Sequence, residues 1–167
     1  RNFKSISCAV CHDPHSNSNE YWLRYTKIDT LANGFKVPTG VGGKGQLCMN
    51  CHRGRSNYIN TVKAQFGRAS NRFYPHYSSQ ADMLFGTHGW EFGLNLQGLT
   101  THTGLKDGCV TCHMAERVIV PGYSKMQSDH NTSMSENGVD KVEGCVECHG
   151  AITKFSDIKA SFDYDMD

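Results

Sequence analysis

Cys8-Ala9-Val10-Cys11-His12 sets a pattern that returns as Cys48-Met49-Asn50-Cys51-His52, Cys109-Val110-Thr111-Cys112-His113 and Cys145-Val146-Glu147-Cys148-His149. All eight cysteines fall inside these four repeats, and a histidine follows every pair. Cys-x-x-Cys-His reads as a c-type haem attachment site. Two thiols separated by two residues suit the two vinyl groups on one porphyrin edge. The next residue then stands beneath the ring, where its imidazole becomes the proximal iron ligand. Cysteine pairs also serve zinc sites, and an even number of cysteines suits a disulfide framework. Neither alternative calls for a histidine after each pair. With nine His in 167 residues, four such coincidences have a chance of roughly one in a hundred thousand under random placement. The haem reading is therefore preferred over both.

The rest of the composition agrees. Only 38% of residues are hydrophobic, and glycine reaches 17. A chain of this length with so thin an apolar content struggles to build a core from side chains alone. Four macrocycles in 167 residues would supply that core. The expected fold is a single tetrahaem domain over residues 1–167: mostly irregular and loop-rich, with short α-helices wrapped around four covalently bound haems c and minimal β. The formal charge of +1 gives no strong basic field for a nucleic-acid partner. No apolar run approaches the ~20 residues needed to span a bilayer. The chain opens at Arg1 without Met or an apolar stretch and reads as a processed mature form. Maturation of this kind occurs outside the cytoplasm, so an extracellular or periplasmic location is expected.

Beyond the proximal His12, His52, His113 and His149, five histidines remain: His15, His76, His88, His102 and His130. Four irons with a second imidazole each need four of them, so the set favours bis-His ligation. Methionine is the competing axial ligand, but Met49, Met83 and Met114 sit where Met usually serves as filler. His15, three residues after His12, is too tightly tethered to fold over the same ring and should serve a different haem. His102 and His130 precede the third and fourth motifs with slack to reach a ring from the opposite side. His76 precedes a helix expected over Ser79–Phe85 and stopped by Gly86. His88, bracketed by Gly86 and Gly89, is the candidate spare.

The motifs are separated by 35, 56 and 31 residues, so the repeat is a motif and not a structural unit. Asn33–Gln46, with five glycines and a proline, reads as an exposed loop. Its Gly42-Gly43-Lys44-Gly45 lacks the P-loop pattern. A weak helix is expected from about Ile59 to Ala69, helical turns after each motif, and a short strand or extended chain over Arg117–Val120. The C-terminal Asp163, Asp165 and Asp167 alternate as in a calcium loop but lack its Gly and distal Glu. A solvated acidic tail is the preferred reading, with a weak Ca2+ site as the alternative.

Several runs resemble a known family. They are Pro75–Thr87, His102-Thr103 leading to Gly108–Met114, and His130 ahead of the fourth motif. They are similar to segments of the OmcE-type tetrahaem cytochromes, extracellular proteins that polymerise into conductive filaments, and the likeness runs from about residue 8 to 165. The resemblance implies bis-His haems in a continuous chain of parallel and T-shaped pairs. It also implies that His15 ligates a haem of the neighbouring subunit in a head-to-tail polymer, and that His76, His102 and His130 are distal ligands within the chain. The family has Gly where His88 stands, which supports the spare and leaves a swapped ligand open. Its acidic stretch continues past the position of Asp167, so this terminus reads as trimmed.

The resulting expectation is electron transport rather than enzymatic turnover: an extracellular filament subunit handing electrons to other cytochromes and to acceptors such as metal oxides. The alternatives are a soluble periplasmic tetrahaem carrier and a multihaem reductase with one open iron. With propionates at about −1 per ferric haem, the loaded chain would carry roughly −3.

Overall fold

The computed structural model describes residues 6–24, 27–57, 60–61, 64, 78–87, 89, 91–95, 101–118, 122 and 125–158. The chain divides into two units, Arg1–Gly108 and Cys109–Asp167, each carrying two of the four motifs.

Helical turns were expected after the motifs, but the structure places them on the motifs themselves. The named helices are α1 (Cys8–Cys11), α2 (Gln46–Met49), α3 (Gln80–Leu84), α4 (Cys109–His113) and α5 (Val146–His149). In motifs one, two and four the histidine N–H donates to the carbonyl of the first cysteine: His12 to Cys8 at 2.8 Å, His52 to Cys48 at 2.9 Å and His149 to Cys145 at 2.9 Å. This i to i−4 bond closes a turn at once, and so the turn need not continue beyond the motif.

The first unit gathers Ile28, Leu31, Val37, Met49, Ala81 and Phe85 into a small core. Phe35 and Phe85 stack with centroids 5.3 Å apart. Polar ties hold the surrounding loops. Gln46, buried, accepts from Ile28 N–H at 2.8 Å and donates to the Val41 carbonyl at 2.6 Å. Asn33 donates to both oxygens of Thr87. Helix α3 docks on motif two through Ala81 N–H and the His52 carbonyl, 2.8 Å. It ends at Gly86, whose φ of 64° halts the helix where the sequence indicated. Met49 is fully buried core filler, whereas Met83 lies exposed.

The glycine-rich stretch is the expected exposed loop only in part: Gly34, Lys36, Pro38, Thr39 and Gly40 are exposed, but the rest turns inward. Val37, Gly42, Gly45 and Gln46 are buried. A Cβ on Gly43 would overlap the Lys106 carbonyl oxygen, and one on Gly108 would sit 3.0 Å from the Gly42 oxygen. The glycines permit two backbones to meet, sealed by Gly45 N–H to the Asp107 carbonyl at 3.1 Å. Of the helix expected over 59–69, Asn60, Thr61 and Ala64 are helical and the rest lies outside the described residues.

The second unit holds two antiparallel hairpins, β1 (Glu116–Arg117) with β2 (Gln127–Ser128), and β3 (Ser135–Glu136) with β4 (Val139–Asp140). The extended chain expected from Arg117 begins one residue early, as β1; residues 119–121 lie outside the described set. Asn137 and Gly138, at φ 51° and 78°, form the two-residue turn of the second hairpin. No hydrophobic side chain is buried among the described residues of this unit. Its buried residues, among those described, are Asp129 and Lys141.

Candidate haem-attachment sites

One helical turn places residues i, i+3 and i+4 on a common face. Both cysteines and the histidine of a Cys-x-x-Cys-His motif occupy those positions. The observed turns therefore present two thiols and an imidazole together, the arrangement that a covalent porphyrin with a proximal ligand requires.

The motifs meet in pairs within each unit. In the first, the Cys11 thiol is pushed above its ordinary value, by burial first and then by Cys48, Cys51 and Cys8 nearby. In the second, burial raises Cys112, followed by the proximity of Cys145, a hydrogen bond with it, and Cys148. Raised values keep these thiols protonated at neutral pH, the opposite of an activated nucleophile. All eight cysteines are unbridged. Gly144 makes the second pairing feasible: a Cβ there would overlap the Thr111 carbonyl oxygen and lie 3.1 Å from Cys112 Cα. Among the described residues no three His, Cys, Asp or Glu side chains form a chelating group. A haem iron needs none, taking one protein ligand from each face of its ring.

Three candidate ligands are oriented by backbone. Nδ1 of His12 lies 2.7 Å from the Tyr21 carbonyl, Nδ1 of His113 2.9 Å from that of Thr132, and Nδ1 of His130 3.1 Å from that of Ser128. A carbonyl only accepts, so each Nδ1 carries the proton and Nε2 carries the lone pair that metals use. His52, His149, His15 and His102 are exposed, the last in a 3-10 turn at Thr101–Gly104. Asp13 Oδ1 accepts the His15 N–H at 3.1 Å. His76, His88 and Asp163, Asp165 and Asp167 lie outside the described residues.

Motif one faces an open cleft of about 490 Å³ lined by Cys8, Ala9, His12, Pro14, Glu20, Tyr21 and Trp22, with mostly apolar surface. That volume falls within the range of cofactor sites. The loop that walls it is pinned by Asp13 N–H to the Trp22 carbonyl at 2.7 Å and Arg24 N–H to the Cys11 carbonyl at 2.9 Å. The Asn19 carboxamide caps the loop from within, accepting from Tyr21 and Leu23 N–H and donating to the Leu23 carbonyl. These bonds hold Trp22 at φ 53°, a conformation costing an aromatic residue on the order of 1–3 kcal/mol. Trp22 remains half-exposed beside His12. The chain matches no family model, no curated protein and no solved structure. No described helix is long and apolar enough to cross a membrane.

The ion-pair network of the second unit was not foreseen. Arg117 Nη2 lies 2.6 Å from Asp129 Oδ2 and 2.7 Å from Glu136 Oε2, and Lys141 Nζ lies 2.7 Å from Asp129 Oδ2. Nor were the carbonyls of Tyr21, Ser128 and Thr132. Only the Asn137-Gly138 dipeptide, a strong hairpin signal, offered a lead to this region.

Proposed function

We propose that this chain carries four covalently attached haems c, two per unit, and serves as an electron-transfer subunit of an extracellular filament of the OmcE type. The observation that carries this reading is the second unit's core. Its 59 residues hold two motifs but, among those described, no buried hydrophobic side chain. Units of that size need a core or a substitute for one, and two macrocycles suit the role. The apolar cleft against motif one points the same way.

Cys8, Cys11, Cys48, Cys51, Cys109, Cys112, Cys145 and Cys148 would form the thioethers. His12, His52, His113 and His149 would be proximal ligands, and His15, His76, His102 and His130 distal ones. When bound, the haems would supply reversible one-electron couples, and with two histidines assigned to each iron the chain would offer electron transfer and no substrate site. The residues' own contributions are orientation and exclusion of water. Hydrogen bonds from Nδ1 to carbonyl oxygens fix the His12, His113 and His130 rings and increase the donor strength of Nε2. Pro14, Tyr21 and Trp22 give the cleft of motif one an apolar wall. His15 is exposed, as a ligand donated to a neighbouring subunit must be. The partners are then further copies of this chain, other cytochromes and extracellular acceptors such as metal oxides.

Electron microscopy of the purified red protein at neutral pH tests the polymer. Filaments with a helical repeat, lost in His15→Ala, are the expected result. Small monodisperse particles would make the protein a soluble periplasmic carrier. A high-spin ferric signal in low-temperature electron paramagnetic resonance would indicate an open iron and favour a reductase.

A further inference from the structure

The buried charges of the second unit lie between two candidate ligands that come from different parts of the chain. Lys141 and Asp129 are 7% and 5% exposed. Lys141 Nζ donates to Asp129 Oδ2 at 2.7 Å and to the Asn131 carbonyl at 2.8 Å. Asp129 Oδ1 accepts the Asn131 N–H at 2.8 Å, and Asn131 Nδ2 donates to Glu136 Oε1 at 3.0 Å. Arg117 bridges the two carboxylates. Asn131 is thus held at its N–H, its carbonyl and its side chain.

The five residues Ser128–Thr132 therefore form a clamped segment. His130 sits in its middle and donates Nδ1–H to the Ser128 carbonyl, while Thr132 at its end accepts from His113 Nδ1. Ser128 Oγ fastens the near end to the Met114 carbonyl at 3.0 Å. Moving the segment turns both rings. His113 belongs to motif three and His130 to no motif, so one clamp governs a ligand of each kind.

We infer that Lys141, acting through Asp129 and Asn131, is a positioning residue that sets the His113 and His130 imidazoles together. Two cations meet two anions, so the network holds these rings without adding net charge beside them. The inference rests on the reading of both histidines as iron ligands.

The test is Lys141→Met in the fully loaded protein. Expected are four covalent haems by mass, altered low-spin resonance signals for the irons ligated by His113 and His130 only, and signals of motifs one and two unchanged. Amide exchange at Asn131 should accelerate roughly tenfold or more. A general structural defect would disturb all four signals, and unchanged signals with unchanged exchange would overturn the inference. Should Lys141→Met fail to fold, Glu136→Gln, at a half-buried position, should shift the same signals by less; no shift there also overturns it. A wild-type protein without haem would instead overturn the underlying ligand assignment, leaving the two failures distinct.

Discussion

Gly144→Ala tests the pairing of motifs three and four. The added Cβ would overlap the Thr111 carbonyl oxygen and lie 3.0 Å from the Thr111 carbon and 3.1 Å from Cys112 Cα. Ordinary carbon contacts are about 3.5–4.0 Å, so the Thr111–Cys112 backbone must retreat by roughly 0.5–1 Å. All three atoms are main chain and belong to motif three or its helix α4, so no flexible side chain absorbs the change. Overpacking of this kind costs about 1–3 kcal/mol. In a unit of 59 residues, each kcal/mol lowers Tm by about 4–8 °C, which predicts a drop on the order of 10 °C. Thermal unfolding by circular dichroism measures it, with visible spectra reporting the haem environment. Gly104→Ala is the control, since nothing lies within 4 Å of its Cβ. Wild-type melting and an unchanged spectrum in Gly144→Ala would refute the close approach of the two motifs.

Other substitutions probe the two units separately. Phe85→Ala removes the largest fully buried side chain of a six-residue core and should cost the first unit about 3–5 kcal/mol, read from denaturant unfolding. Asn19→Ala removes the loop cap that holds the Tyr21 carbonyl over His12; it should cost about 1–2 kcal/mol and shift the resonance signal of the motif-one iron alone. Acid should loosen the second unit. Burial alone would raise Asp129, but Lys141, the Asn131 N–H and Arg117 outweigh it and hold the carboxyl below its ordinary value. Arg117 and Asn131 lower Glu136, and the Ser135 hydroxyl and Phe155 N–H lower Asp140. Folded values below the unfolded ones give stabilisation that is complete above about pH 4 and lost as pH falls through the folded values. Hydrogen-exchange protection in residues 125–158, taken relative to the intrinsic rate at each pH, should therefore stay constant from neutral pH down to about 5 and fall below about 4. Loss already near pH 6 would assign the effect to histidine instead.

The four Cys-x-x-Cys-His runs were legible because their chemistry is local: a turn of five residues contains both thiols and the imidazole. Helix α3 was legible too, since Gly86 marks its end. Which motif meets which was not, because the pairing depends on Gly144 approaching Thr111 across 33 residues of chain, and a glycine in sequence does not announce its neighbour. Gly34 and Pro38 to Gly40 are exposed as the glycine-rich stretch suggested, but the inward-turned Gly42–Gln46 end was not legible, because glycine signals turns and close backbone approach alike; here the partner, Lys106–Gly108, lies far along the chain. Arg117, Asp129, Glu136 and Lys141 follow no period. A buried ionic network resembles scattered surface charge until the hairpin at Asn137-Gly138 folds two of its members together. The orienting groups for His12, His113 and His130 are backbone carbonyls, which every residue has and no motif can mark.

Intact-mass measurement under denaturing conditions, on protein matured outside the cytoplasm, tests the central claim most directly. The account predicts a single species carrying four covalently bound haems that survive unfolding, with two of them lost together in Cys109→Ser/Cys112→Ser/Cys145→Ser/Cys148→Ser. A bare chain mass, or a metal released on denaturation with all eight thiols then free to alkylate, would contradict it.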